Sequence, residues 1–315
     1  MKIRILFRSL IFVLIVLVSD WLVGKAMAYM YGRTHDITIS KIRYTFFDSD
    51  EDILILGSSR AQHHYIPEVL VKGTGLTAFN GGLGGQPLAF SLVQLSETFK
   101  RYKPKAVILD VTPDFRFDHD SDPRLKILGP YYKTNSLARS ILLDNGTKFE
   151  RVKYMSSVYP YNGVLADLVL ACFYVPDVSI KGYIASPGGS IDPDWQMNES
   201  EQDYNGIPAK QKRYLKAIAD LCNEEGVKLW IIISPLYNTT EGEKIISAEV
   251  SGFASESGIG FLNFSQALTD YRLFKDHLHL STAGAEAFTV MVRDSLFFHD
   301  SNLTSCMSVA PQNGI

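Results

Sequence analysis

Residues 52–64 read DILILGSSRAQHH. The apolar run Ile53–Leu56 has the length of a strand and no polar alternation, and Gly57 closes it before two serines. A strand buried on both faces of a parallel sheet reads this way. The same signature returns in KAVILDVTP (105–113), in KLWIIISPL (228–236), and more briefly in TAFNGGLGGQ (77–86) and GFLNF (260–264). Helical spacing fills the intervals. Leu88, Leu92, Leu95 and Phe99 follow Pro87 on one face, and Tyr214, Leu215, Ile218 and Leu221 fall within a helix over 208–225 that Gly226 ends. A helix is expected near 241–257, and Ser281 and Thr282 introduce the closing helix AGAEAFTVMVRDSLFF. Strands alternating with helices predict an α/β fold, a parallel sheet with helices on both faces.

Other stretches are less regular. Residues 33–50 read as a polar connector with a β-like ITISKIRYTFF patch, and Pro67 keeps the element after GSSRAQHH short. Between about 115 and 207 the alternation lapses into Tyr-, Pro- and Gly-rich sequence with a helix expected near 161–175. That reads as an insertion capping the sheet edge. The tail 299–315 lacks periodicity and is expected to be mobile. The predicted organisation is an N-terminal segment (1–32), a connector (33–50), an α/β domain (51–298) and the tail.

The chain has 315 residues, 46% of them apolar and 21% charged, with a formal charge of −3. Scattered cations and near-neutrality argue against a nucleic-acid partner. Cys172, Cys222 and Cys306 show neither metal-ligand nor redox spacing, so Cys172 and Cys222 are expected to be small buried hydrophobes. At the start, MKIRILFR carries Lys2, Arg4, Arg8 and the terminal amine before the apolar SLIFVLIVLV. That run is shorter than the roughly 20 residues a span needs, but WLVGKAMAYMY extends it past Asp20. Two readings stay open: a signal anchor, or a signal peptide cleaved after the small residues AMA (26–28). Both place the domain outside the cytoplasm, periplasmic or extracellular.

At the far end, FKDHLHLSTAGAEAF (274–288) sets Asp276 and His279 three residues apart before a helix. A loop of this kind can hold an imidazole with one nitrogen on the carboxylate and the other free for a serine hydroxyl. Parallel strands gather distant loops at their carboxyl edge, so Ser59 and His279 can meet. Alone, Ser59 is a turn serine. With these partners it reads as a nucleophile, and Ser58 as a backbone-satisfying neighbour.

In these blocks the sequence resembles the SGNH hydrolases, the GDSL-like superfamily of flavodoxin-like α/β enzymes acting on esters. ILGSSR is similar to the family's first block, with Ser59 at the nucleophile position. NGGLGGQ is similar to the second, implying an oxyanion donor at the Gly85 N–H, or at Gly82, beside the N–H of Ser59. DHLH matches the terminal Asp-x-x-His block, implying Asp276 and His279. The third block, Gly-x-Asn-Asp in the family, stands here as LDVTPD (109–114); the Asn is absent and Thr112 is the substitute at hand. Losing one such donor costs roughly 2.7–4 kcal/mol where it has been measured. The GSS variant is similar to membrane-anchored branches that transfer acyl groups to envelope polymers. The resemblance implies a flavodoxin-like three-layer sheet and an acyl-ester hydrolase or O-acyltransferase. It implies an O-acylated glycan or other small ester as substrate, a membrane acyl-donor partner, and neither cofactor nor metal.

Competing readings are specific. His277 is a rival base, although alternation in an extended DHLH points it away from His279. His63 and His64 read as surface or substrate-contact histidines near the site mouth, and Arg60 as an anion attractor or a partner of Asp114. Asp118, Asp120 and Asp122 invite a calcium loop but lack its Gly and Glu, so a solvated loop is expected. The alternative functions are a non-catalytic glycan-binding or assembly protein, and metal-assisted phosphoester hydrolysis at Asp276, His277 and His279.

Overall fold

The computed structural model describes residues 2–113, 122–173, 179–186, 189–196 and 206–299. The chain forms two compact units, one of Met1–Ser40 with His119–Asp177 and one of Lys41–Asp118 with Val178–Ile315.

The second unit is built on five parallel strands: β1 (Ile53–Leu56), β2 (Ala78–Asn80), β3 (Ala106–Asp110), β4 (Lys228–Ile233) and β5 (Gly260–Asn263). Their order, β2-β1-β3-β4-β5, is that of the flavodoxin-like sheet. In register, Ile53 stands opposite Ala78 on one side and Ala106 on the other, and Leu109 opposite Ile231. Because side chains alternate, the sheet has two apolar faces. Ile53, Ile55, Ile108, Trp230 and Ile232 pack with Phe288, Val292 and Leu296 of the closing helix. Leu54, Leu56, Val107, Leu109, Leu229 and Ile231, buried as well, point the other way.

The helices, in chain order, are α1 (Lys2–Arg33), α2 (Ile37–Phe47), α3 (Ser59–His64), α4 (Pro67–Leu70), α5 (Leu88–Phe99), α6 (Ser136–Asp144), α7 (Glu150–Lys153), α8 (Leu165–Leu170), α9 (Ala209–Glu224), α10 (Glu241–Ser257) and α11 (Thr282–His299). In the second unit α5 packs on α9, and α11 packs on α3 and α4. Pro67 occupies the first turn of α4, Gly226 follows α9 with φ +67°, and the Ser281 hydroxyl accepts the Gly284 N–H at the start of α11. A capping box between Thr240 and Glu243 starts α10.

Several expectations need correction. The β-like patch over 33–50 is largely the helix α2. Its buried apolar side chains, Ile39, Ile42 and Phe46, are spaced by three and four, and that face outweighs the strand preference of Ile, Thr, Tyr and Phe. The helix expected near 161–175 is the shorter α8. Cys222 is buried but Cys172 is exposed, because the apolar side chains Val169, Leu170 and Phe173 around it also face outward. Asp114, Asp118 and Asp120 and the tail 300–315 lie outside the described residues. Asp122 caps a 3-10 turn, accepting the Arg124 N–H at 3.0 Å and pairing with the Arg124 guanidinium.

In the first unit α1 packs against α8 and against the 3-10 turn Tyr159–Tyr161. Asp20 accepts the Ser156 hydroxyl at 2.5 Å and the Ser157 N–H at 2.6 Å. Gly24 lies so close to Ser157 that a Cβ there would sit 2.4 Å from the serine Cβ. Tyr31 donates its hydroxyl to that of Tyr131 at 2.8 Å. Most apolar side chains from Ile3 to Val18, by contrast, are exposed.

Candidate active site

β1 ends at Leu56, and the chain turns through Gly57 at φ +137°, where a Cβ would fall 2.7 Å from the Asp110 carbonyl oxygen. Only glycine makes that turn without strain. The turn delivers Ser59 to the first position of α3, at the carboxyl end of the sheet between β1 and β3, where the strand order reverses. The Ser59 N–H, in the first turn of the helix, has no acceptor among the described residues.

The loop before α11 supplies the partners. Ser59 Oγ lies 2.8 Å from His279 Nε2, and His279 Nδ1 lies 2.9 and 3.0 Å from the two Asp276 oxygens. Asp276 Oδ1 also accepts the N–H groups of Leu278 and His279, each at 2.9 Å, so the carboxylate organises its own loop. Partial burial works against ionisation of Asp276, but the His279 ring and these two N–H groups hold its pKa below the ordinary value. An ionised Asp276 fixes the proton on Nδ1 and leaves Nε2 to accept from Ser59. The side chain of Asp276 is 54% exposed and that of His279 24%, so a substrate can reach the site.

The glycine turn gives a split result. A Cβ built on Gly84 would lie 3.9 Å from the Ser59 Cβ, which sets the Gly84–Gly85 peptide beside Ser59. The Gly85 N–H has no acceptor among the described residues, whereas the Gly84 N–H is held by Gln62 Oε1 at 3.0 Å. Gly82 is not a free donor. Its N–H goes to Asn80 Oδ1 at 3.0 Å, and its missing Cβ makes room for Ala61, whose Cβ would otherwise be 2.4 Å away. The Thr112 hydroxyl pairs with that of Ser58 at 3.3 Å, one residue from Ser59.

His277 is turned away from Ser59. Its Nε2 bonds Glu243 Oε1 at 2.7 Å, its Nδ1 bonds the Tyr237 carbonyl, and Trp195 stacks on its ring with centroids 4.5 Å apart. The expected alternation holds, and His277 is a buried structural histidine. Among the described residues no group of His, Cys, Asp and Glu side chains is arranged to hold a metal ion.

His64 and Arg60 depart most from expectation. Both are fully buried. His64 Nε2 accepts the Leu280 N–H at 3.0 Å, which requires the proton on Nδ1; that nitrogen donates to Ser234 Oγ at 2.9 Å. Burial, and then the Arg60 charge, push its pKa well below the usual imidazole value. Arg60 donates to Ser234 Oγ through Nε and Nη2, and Nε stands 3.6 Å from Asp110 Oδ1. Asp110 accepts the Tyr65 hydroxyl at 2.6 Å. Burial raises the Asp110 pKa, against the pull of Arg60 and Tyr65. Arg60 therefore belongs to a buried network under the site. His63 is partly exposed, bonding the Ile184 carbonyl at 2.8 Å, with its ring centroid 6.1 Å from that of His279.

Sequence reasoning missed Asn80, whose Nδ2 donates to the carbonyls of Ala61 and Tyr65 at 2.7 and 2.8 Å, tying the glycine turn to α3. Its signal was a buried amide at the very end of a short apolar strand. Ser234, just past β4, left no local signal.

No family model matches the chain, and no curated protein does. Among solved structures, 35 chains match. They include a lipase/acylhydrolase from Enterococcus faecalis, at 12% identity over 78% of this chain and 94% of that one, with a TM-score of 0.38. A GDSL-like lipase from Bacteroides thetaiotaomicron VPI-5482 aligns at 10% identity over 78% of this chain and 88% of that one, with a TM-score of 0.36. A family two carbohydrate esterase from Clostridium thermocellum aligns at 9% identity over 79% and 64%, with a TM-score of 0.40.

Proposed function

We propose that the chain is a membrane-tethered serine esterase or O-acyltransferase that works through an acyl-serine. The observation that carries this reading is the unbroken sequence of short contacts from Ser59 Oγ through the His279 ring to Asp276. As Ser59 Oγ bonds to the ester carbonyl carbon, its proton passes to His279 Nε2, and Asp276 stabilises the resulting imidazolium. The carbonyl oxygen takes the negative charge and meets the N–H groups of Ser59 and Gly85, with the Thr112 hydroxyl as a third donor after a small movement. Collapse breaks the bond to the leaving alkoxide, which takes the proton back from His279. Water or a sugar hydroxyl then attacks the acyl-serine by the same route, giving hydrolysis or transfer.

The substrate class is an O-acylated glycan or another envelope ester. Its support is the resemblance of GSSR, NGGLGGQ and DHLH to the family's blocks, together with the apolar helix α1. Lys2, Arg4 and Arg8 before the apolar run put the N-terminus in the cytoplasm and the second unit outside it. The contacts of Asp20 and Gly24 with Ser156 and Ser157 favour an anchor that is kept, since cleavage after Ala28 would remove both.

Turnover of p-nitrophenyl acetate by the detergent-solubilised full chain tests the proposal. Ser59→Ala should lose at least about 10³-fold in kcat, as removal of a triad member does elsewhere. Turnover unaltered by Ser59→Ala would assign the hydrolysis to another group and contradict the proposal, and a folded chain with no turnover at all would favour a binding protein.

A further inference from the structure

The stretch KFERVKYM (148–155) in the first unit shows two opposed faces. Glu150 and Tyr154 are buried, while Phe149, Val152 and Met155 are 57%, 64% and 78% exposed. Their spacing of three lines these apolar side chains along one side of the turn formed by α7. Lys148 lies over the Phe149 ring, and neither Lys148 nor Arg151 has an ion-pair partner among the described residues. Lys153 is paired with Glu150. An outward apolar ridge beside cations that lack an ion-pair partner among the described residues suits a segment lying against lipid.

The depth of α1 points to the same place. Between Arg8 and Asp20 lie eleven residues without charge, which rise only about 16 Å along a helix, roughly half of a bilayer's hydrocarbon core. The apolar layer around α1 therefore reaches the level of Asp20. A carboxylate there must be satisfied within the protein, and Ser156 and Ser157 satisfy it. Met155 immediately precedes Ser156, so the ridge is held at that depth by the same contact.

We infer that Phe149, Val152 and Met155 insert into the outer leaflet of the bilayer that α1 crosses, with the long side chains of Lys148 and Arg151 reaching out toward anionic lipid headgroups. The first unit is then held to the membrane at two places, by a span and by a turn seated in the outer leaflet. The inference rests on α1 being a retained anchor, as argued above.

The test uses the full chain with Cys172→Ser and Cys306→Ser, leaving the buried Cys222. A single cysteine placed at Val152, Met155, Leu14 or the exposed Lys216 is labelled with an environment-sensitive fluorophore. Each protein is assembled into nanodiscs of phosphatidylcholine and phosphatidylglycerol with or without brominated acyl chains. Labels at positions 152, 155 and 14 should emit to the blue of the label at position 216 and lose fluorescence in brominated lipid, whereas the label at 216 should not. Quenching at 14 but not at 152 and 155 would overturn the inference and leave the anchor standing. Blue emission without quenching at 152 and 155 would mean that protein, a second copy or a partner, covers the ridge, and would also overturn it. Absence of quenching at 14 would remove the anchor and the inference together.

Discussion

Leu280 donates its backbone N–H to His64 Nε2 at 3.0 Å, so the loop that carries His279 is hydrogen-bonded to the helix that carries Ser59. The two halves of the candidate site, 220 residues apart in sequence, are fixed to each other by a contact that neither Ser59 nor His279 makes through its side chain. Only a neutral His64 can accept that N–H while donating to Ser234.

This sets a pH dependence. The folded pKa of His64 lies well below its unfolded value near 6.5, so the unfolded chain binds the proton more readily. The stability this group contributes is complete above about pH 6.5 and falls as pH drops below it, by up to about 1.4 kcal/mol per pH unit. His64→Gln, which keeps an acceptor for Leu280, should flatten the fall between pH 6.5 and 5 in thermal melts. An equally steep fall in His64→Gln would assign the dependence to other groups.

Arg60 and Asp110 form the charged part of the network beneath the site, both buried. Removing one partner strands the other, so Arg60→Met should cost about 3–5 kcal/mol in denaturant unfolding. Adding Asp110→Asn, which removes the stranded charge and keeps an acceptor for Tyr65, should recover part of that loss. A double variant no more stable than Arg60→Met would contradict the pairing.

Lys41 is 5% exposed, and its Nζ has no hydrogen-bond partner among the described residues. Burial lowers its pKa to about 7. The unfolded lysine keeps its proton up to about pH 10.4, so stability should rise as pH climbs from about 7 toward 10. The penalty at pH 7 is on the order of 5 kcal/mol by the same linkage. Lys41→Met should raise the melting temperature at pH 7 and remove most of the rise with pH. A lower melting temperature in Lys41→Met would show that the ammonium has a partner.

How far the sequence could be read follows from what each feature depends on. The strands were legible because parallel strands buried on both faces are continuous apolar runs, as in Ile53–Leu56 and Leu229–Ile233. The meeting of Ser59, His279 and Asp276 was legible because each sits in a short block with its own spacing. The helix α2 was not, because Ile, Thr, Tyr and Phe favour a strand until tertiary packing selects the face of Ile39, Ile42 and Phe46. His63 and His64 are adjacent letters with opposite fates: one turn of α3 leaves the first partly exposed and encloses the second. Gly82 stood second to Gly85 as a donor in the sequence, and the positions of Asn80 and Ala61 show its N–H to be taken. The partners of Arg60 and His277 lie on other elements, and local sequence does not name them.

Everything proposed for the site depends on activation of Ser59 by His279. Its most direct test is the adduct mass after treating the detergent-solubilised full chain with a fluorophosphonate, with folding of each variant checked by circular dichroism. The account predicts one adduct, mapped to Ser59, lost in Ser59→Ala and His279→Gln and kept in Ser58→Ala and His277→Gln. An adduct that persists in Ser59→Ala, or a folded protein that never forms one, would contradict it.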